Sequence, residues 1–136
     1  MPRCGYLFVV VAINTLGMPH RGYPALKLHH KNQPNTIPMQ QITSIELKKW
    51  DISGREYILI DIREQWEHEQ FNIGGAHIPM GELIGRLEEI PKDKDVVLYC
   101  EKGIRSTITI QRLEGYGYAN LFNLSGGMKA WREEGL

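Results

Sequence analysis

Three short apolar runs narrow the fold of this chain more than any other feature. Tyr57-Ile58-Leu59-Ile60-Asp61-Ile62, Asp95-Val96-Val97-Leu98-Tyr99 and Asn120-Leu121-Phe122-Asn123-Leu124 have the length and residue types of strands buried on both faces. Between and around them lie segments with helical signals. Thr43 followed three residues later by Glu46 is a capping box, which predicts a helix over 44–51. Leu83, Ile84, Leu87 and Ile90 recur at helical spacing before Pro91, and a last short helix carrying Trp131 follows Ser125-Gly126-Gly127. Strands alternating with helices of this size imply an α/β fold: an open, mainly parallel sheet of about five strands with helices on both faces.

One segment carries conflicting signals. Ser106-Thr107-Ile108-Thr109-Ile110 is β-branched at four of five positions and reads as a strand on propensity. It lies, however, between a strand ending at Tyr99 and another beginning near Asn120, where a parallel connection needs a crossover. Gln111-Arg112-Leu113-Glu114 adds helix formers, and Gly115 a stop. The topology therefore predicts a helix over 105–114.

Charge divides the chain. Lys+Arg and Asp+Glu number 16 each, but residues 1–45 hold Arg3, Arg21, Lys27 and Lys31 and no acid. Five of the seven prolines also fall within the first 38 positions. Residues 1–38 read as an irregular extension and 39–136 as the folded domain. Arg3 ahead of the apolar stretch Leu7–Ile13 has the order of a signal peptide, yet no small-x-small cleavage pattern follows; an organelle transit peptide and an upstream start codon ahead of Met39 are the alternatives. The expected location is the cytoplasm, or an exported or organellar one if residues 1–38 are a targeting segment. Zero net charge argues against a nucleic-acid partner, and no apolar run approaches the roughly 18–20 residues of a membrane span. Two cysteines, Cys4 and Cys100, exclude a disulfide framework and a four-cysteine zinc site.

The chemistry concentrates in Cys100-Glu101-Lys102-Gly103-Ile104-Arg105-Ser106. In open α/β sheets, ligands bind outside the carboxyl ends of the strands. A cysteine there, just ahead of a helix, faces unpaired backbone N–H groups and the positive end of the helix dipole, which favour the nucleophilic thiolate. Lys102 and Arg105 supply two cations, and Gly103 lets the backbone turn without Cβ interference. Alternatively, Cys100 is a small buried hydrophobe that closes its strand.

At this point the sequence resembles the single-domain rhodanese family of sulfurtransferases, over about residues 40–136. Ile60-Asp61-Ile62-Arg63-Glu64 is similar to the family's first signature strand. Phe71-Asn72-Ile73-Gly74-Gly75-Ala76-His77-Ile78-Pro79 is similar to its second motif, with Asn72 where the family more often has His. Val97 to Ser106 resembles the active-site loop, and Leu124-Ser125-Gly126-Gly127-Met128-Lys129-Ala130-Trp131 the terminal signature.

The resemblance implies a two-step transfer of sulfane sulfur. Cys100 would attack the outer sulfur of thiosulfate or a persulfide donor and then pass the sulfur to a thiol or to cyanide. Backbone N–H groups from Glu101 through Lys102, Gly103 and Ile104 to Arg105 would cradle the anionic persulfide. Lys102 would attract an anionic donor, and Arg105 would hold it or brace the loop. The implied partners are a small sulfur-donor anion, a thiol acceptor and a sulfur-accepting protein; no metal or organic cofactor is implied. Glu101 stands where some members have a base and is expected to repel thiosulfate. A non-catalytic or sulfur-relay binding module is the alternative. Phosphatase or arsenate-reductase chemistry on the same fold comes third, because it needs five residues between Cys and Arg and this loop has four.

Asp61 and Arg63 end a buried strand and either line the site or form a structural ion pair; buried charges are usually paired. Glu64, Glu67 and Glu69 read as a solvated helix face. His68 and His77 lack ligand spacing with other metal-binding residues. Trp131 is expected to pack the last helix onto the sheet.

Overall fold

The computed structural model of the chain describes residues 38–136. The expectations for the extension, the targeting readings and Cys4 thus lie, apart from Pro38, outside the described residues.

Strand β1 (Gln40–Ile42) leads into helix α1 (Ser44–Ser53). The predicted capping box is present: Thr43 Oγ1 accepts from Glu46 N at 3.2 Å, and Glu46 Oε2 accepts from Thr43 N at 2.9 Å. These bonds satisfy two of the backbone donors that a helix start leaves open. Strand β2 (Ile58–Asp61), the short helix α2 (Gln65–Gln70) and the two-residue strand β3 (Ala76–His77) follow. Then come a 3₁₀ segment (Leu83–Glu89), β4 (Val96–Tyr99), α3 (Ile104–Glu114), β5 (Leu121–Leu124) and α4 (Gly127–Glu133).

The five strands form one sheet in the order β1-β5-β4-β2-β3, and every pairing is parallel. Central β4 is buried at all four residues, which accounts for its unbroken Val-Val-Leu-Tyr run. Its side chains alternate between two cores. Val96 and Leu98 join Ile60, Leu121, Ile110 and Leu113 on one face; Val97 and Tyr99 join Leu47, Leu124, Met128 and Trp131 on the other. Helix α3 thus covers one face, and α1 and α4 the other.

The β-branched run 106–110 is helical, as the crossover requires. Two threonine hydroxyls bond back into the preceding turn, Thr107 Oγ1 to Gly103 O and Thr109 Oγ1 to Arg105 O, both at 2.8 Å. Burial of Ile110 and Leu113 outweighs the weak propensity. The segment from Leu83 departs from expectation. It is not an α-helix but two 3₁₀ turns joined at Arg86 (φ −128°, ψ 31°). Gly85, just before the kink, weakens helix propagation, and Arg86 instead pairs with both Glu82 and Glu89.

Candidate active site

Cys100 directly follows the last residue of β4 and is 1% exposed. The chain then turns through Glu101, Lys102 and Gly103 before α3 begins. Gly103 adopts φ +86°, in the left-handed region, and a Cβ there would lie 3.2 Å from Gly126 N and 3.3 Å from Leu124 O. That turn aims amides at the sulfur: Gly103 N donates to Cys100 Sγ at 3.1 Å and Ser106 N at 3.4 Å. The Ser106 hydroxyl sits 3.3 Å from Sγ.

A buried polar chain fixes that hydroxyl. Ser106 Oγ donates to Asn123 Oδ1. The Asn123 amide is oriented by its own donations from Nδ2 to Gln41 Oε1 at 2.9 Å and Thr107 Oγ1 at 3.1 Å. With the serine proton directed at Asn123, the serine oxygen offers a lone pair to Cys100 Sγ.

The base of the loop is fastened by the terminal motif. Met128 N donates to Cys100 O at 3.0 Å and Lys129 N to Glu101 O at 2.9 Å. Gly127 (φ +56°) permits this approach, because a Cβ there would stand 2.3 Å from Cys100 O.

Three ion pairs surround the loop. The first is the buried pair Asp61–Arg63, 0% and 2% exposed. Asp61 accepts from Arg63 Nε, Nη2 and backbone N, and its Oδ2 lies 2.9 Å from His68 Nδ1. Burial alone would raise the Asp61 carboxyl, but the Arg63 side chain and backbone and His68 together hold it below the usual carboxylate value. His68 in turn stacks on His77, with ring centroids 4.3 Å apart.

The second pair is Arg105–Glu67, bidentate with both N···O distances 2.7 Å. Arg105 therefore braces the loop against α2. Glu67 does not lie on a solvated face, as its sequence pattern suggested: its side chain is 11% exposed and turned toward the loop. The hydrogen bond from Arg105 holds its carboxyl below the ordinary value. A group lowered in this way stabilises the fold above its unfolded value and loses that contribution as pH falls through the folded one. Glu67→Ala is expected to cost about 1–2 kcal/mol at pH 7, discounted for the partly exposed Arg105. The difference from wild type should shrink below about pH 4, as read by urea unfolding at both pH values.

The third pair changes the expectation for Glu101. Its carboxylate contacts Arg132 Nη2 and lies 3.6 Å from Arg63 Nη1. The charge expected to repel an anionic donor thus has Arg132 as its counter-ion, with Arg63, itself paired to Asp61, nearby. Lys102 and Ile104 are exposed on the rim. Sequence reasoning assigned no role to Ser106 and missed Asn123, Glu67 and Arg132. Asn123 had left a signal, a polar residue within an apolar strand run. The pairings of Glu67 and Arg132 join elements distant in sequence and left none.

Comparison with known proteins agrees with this geometry. The family model of the Rhodanese-like domain matches residues 44–134. A protein named sulfurtransferase from Allochromatium vinosum is 38% identical over 99 residues, 72% of this chain and 92% of that protein. The thiosulfate sulfurtransferase GlpE of Coxiella burnetii is 32% identical over 88 residues, 63% of this chain and 82% of its own. The probable adenylyltransferase/sulfurtransferase MoeZ of Mycobacterium tuberculosis is 35% identical over 96 residues, but the chain spans only 24% of that relative's length. Among solved structures, a rhodanese-like domain protein from Staphylococcus aureus superimposes with TM-score 0.64 at 29% identity, covering 68% of this chain and 91% of that one. These names support a sulfurtransferase-type role. With the signature loop, the parallel sheet and a family match over most of its length, the chain belongs to the family of rhodanese-like domains.

Proposed function

We propose that the chain is a sulfurtransferase that carries sulfane sulfur on Cys100. The observation that carries this reading is the convergence of two backbone amides and one hydroxyl on a buried sulfur at the start of a helix. The two amides, already aimed at the sulfur, suit the anionic persulfide that the transfer forms.

In the first step the Cys100 thiolate attacks the outer sulfur of thiosulfate or of a persulfide donor. A new S–S bond forms at Cys100, the donor's S–S bond breaks, and sulfite or a thiolate leaves with the electron pair. In the second step a thiol or cyanide attacks the outer sulfur of the persulfide, and Cys100 leaves as thiolate. Sulfur is carried by the side chain throughout, so the scheme uses no cofactor. With Glu101 paired to Arg132 and Arg63 nearby, thiosulfate is an acceptable donor, and exposed Lys102 favours its approach. A sulfur-accepting protein is a further partner class, supported by the domain's likeness to part of a protein named for adenylyltransferase and sulfurtransferase activities.

The kinetic test is steady-state turnover with thiosulfate and cyanide varied together. Two steps separated by sulfite release give parallel double-reciprocal lines. Intersecting lines, or no turnover with any sulfane donor, would overturn the scheme.

A further inference from the structure

Arg63 is almost fully enclosed, yet its hydrogen bonds are unevenly shared. Nε and Nη2 bond to Asp61, and Nη2 also donates to Phe71 O at 2.6 Å. Nη1 makes no hydrogen bond among the described residues; the nearest acid is Glu101 Oε2 at 3.6 Å. Nη1 is not among the fully buried polar atoms left without a partner, so it keeps contact with solvent and can bond an incoming acceptor. Arg63 borders a cleft of about 460 Å³ that is also lined by Arg132, Glu101, Glu67, Trp66 and Phe71. Two of these are large exposed aromatic residues: Trp66 is 65% and Phe71 44% exposed.

The cleft therefore has a charged end, where Arg63 and Arg132 meet Glu101 and Glu67, and an apolar wall, and Glu101, the residue that follows Cys100, is part of its lining. Its volume falls within the roughly 300–1,000 Å³ of organic small-molecule sites, and an inorganic anion such as thiosulfate would leave most of it empty. At the charged end the guanidinium groups already have carboxylates of the chain beside them. Glu101 reaches Arg132 and approaches Arg63 from a loop position, with its side chain 30% exposed. A carboxylate so placed can leave by a change of rotamer, and an incoming carboxylate can take over both guanidinium partners.

We propose that this cleft is the acceptor subsite and that it takes an organic thiol bearing a carboxylate. The acceptor's carboxylate displaces that of Glu101, pairing with Arg63 Nη1 and Arg132, while its carbon skeleton lies on Trp66 and Phe71. This rests on the persulfide reading above and deepens it. The acceptor thiolate attacks the outer sulfur of the Cys100 persulfide; the acceptor's S–S bond forms as the bond to Cys100 breaks, and the electron pair returns to Sγ. The products are an organic persulfide and the Cys100 thiolate, with no external oxidant or reductant.

The test uses the full chain loaded with sulfur from thiosulfate, freed of excess donor and discharged in a single turnover at fixed low ionic strength. Mercaptopropionate and mercaptoethanol serve as acceptors, and the ratio of their rate constants is read within each protein. The ratio cancels intrinsic thiol reactivity between proteins, and general damage to the loop moves both acceptors alike. The ratio should fall about fivefold in Arg132→Ala and rise about fivefold in Glu101→Gln, the size of one partly exposed ion pair. Equal ratios in wild type and both variants, with loading intact, overturn the subsite and leave the persulfide reading standing. A chain that takes up no sulfur overturns that reading and the subsite with it.

Discussion

Asp61→Ala should destabilise the domain by about 3–5 kcal/mol, the range for a buried ion pair that loses one partner. Removing the carboxylate strips Arg63 Nε of its acceptor and leaves Nη2 only Phe71 O, with the charge still enclosed at 2% exposure. Glu101, at 3.6 Å from Nη1, is then the nearest remaining acid. Against a total stability of about 5–15 kcal/mol for an ordinary domain, that loss is large. Asp61→Asn should recover part of it, because an amide oxygen can still accept from Arg63 N and Nε. The pH dependence has a definite sign. The Asp61 carboxyl is held below its ordinary value, so its contribution is full above about pH 4 and drains as pH falls through the lowered folded value. Urea unfolding of the three proteins at pH 7 measures the effect; a loss under about 1 kcal/mol in Asp61→Ala would show that the pair is dispensable.

Cys100→Ser should abolish sulfur transfer, by more than about a thousandfold in turnover, equivalent to at least about 4 kcal/mol in the barrier. An alcohol at this position is a weak nucleophile toward sulfur and forms no persulfide. The fold should barely change. A serine oxygen can accept from Gly103 N and Ser106 N as the sulfur does, and the side chains are close in volume, so stability should stay within about 1 kcal/mol of wild type. Thiosulfate–cyanide turnover and a thermal melt on the same sample separate the two effects. Turnover near the wild-type rate would remove Cys100 from the chemistry.

The sequence made the centre of this fold legible and its periphery much less so. β2, β4 and β5 stand out because strands covered on both faces are largely apolar, here with Asp61 and Asn123 as exceptions, and helix 104–114 follows from their parallel pairing. β1 and β3 are edge strands of three and two residues, too short to show any period. Helix α2 presents no buried residue, so its polar sequence carries no amphipathic stripe. At the site, Cys100, Gly103 and the loop cations were visible because they lie together in sequence. The ion pairs that shape the surroundings were not. Glu67 reaches Arg105 from 38 positions away and Arg132 reaches Glu101 from 31, and only the packing of α2 and α4 beside the loop makes those partners neighbours. The expectation that Glu101 repels anions was formed without these neighbours: Arg132 pairs with its carboxylate and Arg63 lies 3.6 Å away.

Sulfur carried on Cys100 is tested most directly by mass. The full chain is incubated with thiosulfate, desalted and measured intact, then digested to separate the peptide containing Cys100 from that containing Cys4. A Cys100 carrier predicts the gain of one sulfur atom on the Cys100 peptide, its loss on brief treatment with cyanide, and no gain in Cys100→Ser. Absence of any added sulfur, or sulfur that persists in Cys100→Ser or maps to Cys4, would contradict it.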